Sequence, residues 1–66
     1  MQINDFVEKE LQMFRDECNF SDEELEYFNL KAKDKSNTQI ALTMNCSEAK
    51  VSKLARRVKD KMLKIL

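Results

Sequence analysis

Neither glycine nor proline occurs anywhere in this 66-residue chain. Their absence removes the usual helix breakers and the residues that tight β-hairpin turns require, leaving Asn, Ser and Asp to make every turn. An all-α fold follows. A chain of this length forms one domain, residues 1–66, too small for a large core, so its stability leans on dense helix packing or on self-association.

The apolar spacing divides the chain into four helices. Ile3, Val7, Leu11, Phe14 and Cys18 fall on one helical arc, predicting a first helix over about residues 3–17. Phe6 and Met13 form a flanking stripe, with Glu10 and Glu17 between the two. A single core would then have to bury or skirt carboxylates, so the second stripe either faces another subunit or widens the core face. Ser21 and Glu24 make a capping box, Phe20 and Leu25 a hydrophobic staple around it, and Asp22 and Glu23 sit at the positive end of the helix dipole. They open a second helix over about residues 21–33. Leu25, Phe28 and Ala32 pack one way while Tyr27 and Leu30 point another, which sandwiches this helix between the first helix and the last two. The exit through residues 33–35 is short.

Ser36 with Gln39 is a second capping box, opening a short helix over about residues 37–44 whose Ile40, Ala41 and Met44 share a face. Asn45 tolerates the left-handed backbone that a tight exit needs, so the turn is Asn45 and Cys46. Ser47 caps a long last helix over about residues 47–65. Val51, Ala55, Val58 and Met62 lie in a narrow arc widened by Leu54, Ile65 and Leu66, while Lys53, Arg56 and Arg57 point the other way. The expected architecture is a small four-helix domain without strands, its third helix shortest. Its last two helices form a helix-turn-helix with a long C-terminal recognition helix, the arrangement that seats a helix in a major groove.

The formal charge of zero conceals an asymmetry. Residues 1–34 hold ten acidic and four basic side chains, a net of −6, whereas residues 35–66 hold eight basic and two acidic, a net of +6. The sign changes where the helix-turn-helix pattern begins. That coincidence marks the second half as a nucleic-acid surface rather than a set of ordinary solvated helix faces.

In residues 35–62 the chain resembles the helix-turn-helix of LuxR/GerE-type regulators and of the promoter-reading C-terminal domain of sigma factors. The shared features are K-S-N-x-x-I-A at 35–41, apolar Met44 and Cys46, Ser47, Val51, and a closing Lys61 and Met62. The resemblance spans roughly residues 20–62. The chain departs from the LuxR/GerE pattern at Asp34, where glycine is usual, at Lys50, where threonine is usual, and in ending at Leu66 before that family's extra C-terminal helix. The resemblance implies the fold and DNA binding, and no particular regulon or signal.

The function expected from these features is sequence-specific binding of double-stranded DNA by a small transcriptional regulator. Ala49, Ser52, Lys53 and Arg56 are the candidates for base edges, Arg56 and Lys53 being suited to guanine O6/N7 and Ala49 to a thymine methyl. Lys35, Lys50, Arg57 and Lys59 would take phosphates, with another at the backbone N–H groups of Asn37 and Thr38. Self-association as a homodimer would use Phe6, Met13, Met62, Leu63, Ile65 and Leu66, reading two half-sites. An alternative is a sigma-like or anti-regulatory interaction module docking on RNA polymerase or another regulator through the acidic half. A weaker one, a DNA mimic built on the acidic helices, sits poorly with the basic half.

Other classes find no support. With no His, no Gly-rich phosphate loop and no cysteine–base pair visible, an enzyme is not expected. No cofactor and no zinc set are expected, and Cys18 and Cys46 read as small core residues. No segment is apolar enough to span a bilayer and the charged N-terminus lacks a signal-peptide core, so a cytoplasmic protein without membrane contact is expected.

Overall fold

The computed structural model describes residues 3–66. A 3-10 turn, Ile3–Asp5, precedes four α-helices: α1 (Glu8–Glu17), α2 (Asp22–Ala32), α3 (Asn37–Met44) and α4 (Glu48–Ile65). No strand occurs among the described residues, and α3 is the shortest α-helix.

Each helix start follows from local hydrogen bonding. Ser21 Oγ accepts from Glu24 N–H at 3.3 Å while the Glu24 carboxylate accepts from Ser21 N–H at 3.0 Å. Ser36 and Gln39 repeat this reciprocal pair at 3.2 and 2.9 Å, and Ser47 Oγ accepts from Lys50 N–H at 3.2 Å. Three of the four helices are thus opened by a serine that satisfies an otherwise orphaned N–H.

The helix ends rest on Asn and Asp in place of glycine. Asn19, Asp34 and Asn45 have φ of 53°, 64° and 55°, the left-handed region these side chains tolerate best after glycine. After α2, the N–H of Lys35 reaches Leu30 O at 3.3 Å and that of Asp34 reaches Lys31 O at 2.9 Å. After α3, Cys46 N–H reaches Ala41 O at 3.0 Å and Asn45 N–H reaches Leu42 O at 3.3 Å. Both are Schellman closures, and Asp34 occupies the left-handed position where the resembled pattern carries glycine.

The core gathers one face of every helix. Phe14, Phe28, Ile40, Val51, Val58 and Met62 are fully buried, with Leu11, Cys18, Tyr27, Ala41 and Leu54 around them. The α2 helix lies between α4, α3 and the 3-10 turn, and its Phe28 ring meets Phe14 of α1 edge-on at 6.4 Å. Phe20 packs its ring 5.1 Å from that of Phe28. Cys18 and Cys46 are both free thiols, Cys18 buried and Cys46 half-buried against the core. Burial pushes the Cys18 thiol above its ordinary pKa, which leaves it a poor nucleophile.

The N-terminal segment departs from the expected continuous helix. The chain breaks at Phe6 and Val7, and Val7, placed on the core arc by periodicity, is 63% exposed in extended conformation as the residue preceding α1. Phe6 turns inward instead, its ring 5.0 Å from Phe14 in an edge-on pair. Val7 has no side-chain acceptor, but the Glu10 carboxylate accepts its N–H at 3.1 Å and restarts the helix there. The break leaves a valine in solvent and brings an aromatic ring partly into the core. It also places Glu10 and Glu17 at the surface, so the core skirts neither at a cost.

Candidate nucleic-acid interface

Turning α4 so that Val51, Leu54, Val58 and Met62 are buried dictates what its other side offers. Ala49, Ser52, Lys53 and Arg56 are all exposed, as are the flanking Lys50, Arg57 and Lys59. All four residues expected at base edges therefore lie on the solvent side of the first two and a half turns of α4. The residue at the next step of that stripe, four beyond Arg56, is the exposed Asp60. A carboxylate there would face a phosphate-lined groove unfavourably, so a readable surface on this stripe would end near Arg56. Helical spacing alone places Asp60 on this stripe, whereas a search for basic residues passes over it.

The expected phosphate positions divide into two kinds. Lys35, Asn37, Arg57 and Lys59 are exposed, and the first N–H groups of α3 point out of its start, where an anion would be favoured. Two positions are already engaged by carboxylates. Thr38 Oγ1 donates to Glu48 Oε1 at 3.0 Å, and Lys50 Nζ is in direct ion-pair contact with Glu23 of α2. That contact raises the Lys50 pKa, keeping the ammonium charged. Lys50, Lys53 and Arg57 line one shallow groove with Glu23 between α2 and α4. Sequence position marks Glu23 and Glu48 only as acidic residues in the first turn of a helix. Their second role depends on contacts between elements that periodicity does not encode.

The orientation of α4 is held from its far end as well. Lys61 Nζ forms an ion pair with Glu24, the residue of the α2 capping box, and donates to Asn19 O at 3.3 Å. One ammonium thus ties α4 to the start of α2 and to the left-handed residue that ends α1.

The surface expected to take a second copy is only partly available. Met62 has no accessible surface and Phe6 packs on the Phe14 ring, so both belong to the core of the single chain. Met62 belongs to the core cluster, and its neighbour Lys61 reaches Asn19 and Glu24 outside the helix-turn-helix. Leu63 and Leu66 are 53% and 65% exposed, Met13 lies on the exposed side of α1, and Ile65 is half-buried.

No group of His, Cys, Asp and Glu suited to a metal ion occurs among the described residues, and no helix is long and apolar enough to cross a membrane. A family model described as bacterial regulatory proteins, luxR family, matches residues 18–63, from the end of α1 to the last turn of α4. Neither the curated proteins nor the solved structures gave a match.

Proposed function

Because the chain belongs to the luxR family of bacterial regulatory proteins, a family of DNA-binding transcription regulators, we propose that it binds specific sequences of double-stranded DNA with the N-terminal half of α4 in the major groove. The observation that carries this reading is the exposed stripe of Ala49, Ser52, Lys53 and Arg56, flanked by Lys50 and Arg57, on a helix whose opposite face is locked in the core. Arg56 and Lys53 suit guanine edges and Ala49 a thymine methyl, whereas Arg57, Lys59, Lys35 and the start of α3 suit phosphates. The charge change between the halves directs the basic face toward DNA and the acidic helices away from it.

The test is a contrast. Arg56→Ala should lose about 1–3 kcal/mol of specific binding and relax preference at one base position, while Arg57→Ala should weaken all duplexes alike and flatten the salt dependence. Selection of bound sequences from random duplex, followed by anisotropy titrations across ionic strength, measures both. Equal and small effects from the two changes, with helicity intact, would remove α4 from the interface.

A second part of the reading is self-association. Few base contacts fit on one such helix, and two copies reading two half-sites multiply them. Leu63 and Leu66 support it, as large apolar side chains left exposed beyond the readable stripe. Leu63→Lys combined with Leu66→Lys should yield a helical monomer that no longer binds paired half-sites. A wild-type chain that sediments as a monomer both free and on DNA would overturn this part, and would favour docking of the acidic half on polymerase or another regulator.

A further inference from the structure

The groove between α2 and α4 brings three cations, Lys50, Lys53 and Arg57, together with one carboxylate, Glu23. Three like charges this close repel one another, and the only acidic side chain lining the groove answers that repulsion from a different helix. Glu23 takes Lys50 directly, and both side chains remain about half accessible. An accessible pair of this kind contributes little to folding, so the fold does not depend on it. It lies where a backbone phosphate would be received, and a carboxylate offers the lysine the same hydrogen-bond acceptors that a phosphate does.

We propose that Glu23 is an internal counter-ion that occupies Lys50 in the free protein and is displaced by a DNA phosphate, so that it sets how tightly this face holds any duplex. The inference rests on the reading of this face as duplex-binding. The ion pair of Glu23 is with Lys50, a residue assigned to phosphate, so it lowers affinity for specific and random sequences alike. Its effect runs entirely through Lys50.

Glu23→Gln keeps the shape of the side chain and removes its charge. In anisotropy titrations against a random-sequence duplex, this variant should bind about two- to fivefold more tightly than wild type, the worth of one accessible ion pair, with an unchanged helical spectrum. Glu26→Gln removes one charge from the same helix outside the groove and should change affinity much less. In a Lys50→Gln background, Glu23→Gln should be silent, since there is no ammonium left to release. A gain that persists without Lys50, or that Glu26→Gln matches, would mean general charge repulsion and overturn the proposal. A wild-type protein that binds duplex while Glu23→Gln leaves affinity unaltered would overturn it alone. Absence of salt-dependent duplex binding by wild type would overturn the DNA-binding reading as well.

Discussion

Replacing Phe28 with alanine is expected to cost about 3–5 kcal/mol, the range for removing a fully buried aromatic ring from a core that relaxes only in part. A domain of this size is worth on the order of 3–10 kcal/mol in total, so the change removes a large share of its stability. Phe28 joins separate parts of the chain rather than filling space in one. Its ring meets Phe14 of α1 at 6.4 Å and Phe20 of the α1–α2 turn at 5.1 Å, and the Arg15 guanidinium lies over it at 5.6 Å. The Arg15 Nε also donates to Asn29 Oδ1 at 2.9 Å, so this corner orders two helices at once. Loss of the ring should therefore weaken DNA binding through loss of fold, with no selective change in base preference. Leu42→Ala supplies the contrast, since Leu42 is 77% exposed beside the buried Ile40 and Ala41, and should shift stability by no more than about 0.5 kcal/mol. Urea denaturation followed by circular dichroism measures both, and a Phe28→Ala protein as stable as the Leu42→Ala protein would refute this account of the core.

The features legible in the sequence are local ones. Ser21, Ser36 and Ser47 cap helices through hydrogen bonds spanning three residues, and such bonds need nothing but the neighbouring sequence. Asn45 is legible as a left-handed turn residue in a chain without glycine, and the structure adds Asn19 and Asp34 in the same conformation. The exposure of Lys53 and Arg56 is the other side of burying Val51 and Val58 on one helix. The misplacement of Val7 and Phe6 has a different origin, because a 3.6-residue arc accommodates either residue and only contact with Phe14 decides between them. Periodicity sends Met62 to an interface because the packing that covers it comes from elsewhere in the chain. The Glu23–Lys50 and Glu24–Lys61 pairs join helices remote in sequence, and no spacing rule reaches across that distance.

The second large effect concerns the Glu24–Lys61 pair and carries a pH signature. Glu24 is only 4% exposed, and its carboxyl is held below the usual carboxylate range, first by the hydrogen bond from Lys61 and then by the Ser21 N–H. A folded-state pKa below the unfolded value of about 4.3 means that the pair contributes fully above that value. Its contribution disappears as pH falls through the lower, folded value, because the unfolded chain takes up the proton first. Glu24→Gln keeps an acceptor for Ser21 N–H but loses the charge, and should cost about 1–3 kcal/mol at neutral pH, the cost of weakening a charged hydrogen bond in a poorly hydrated site. Near pH 3 the difference from wild type should shrink. Lys61→Met should be at least as costly at neutral pH, since it leaves a poorly hydrated carboxylate without its ammonium, and should return the Glu24 pKa upward in a side-chain NMR titration. Glu8→Gln, which breaks the exposed Glu8–Arg15 contact at 3.0 Å, should cost well under about 1 kcal/mol. Because Lys61 ties α4 to the cap of α2, a folded Lys61→Met protein should also bind cognate duplex more weakly while retaining Arg56-dependent base preference. A Glu24→Gln penalty equal at pH 3 and pH 7 would show that the carboxylate is not the charged partner on which this end of α4 depends.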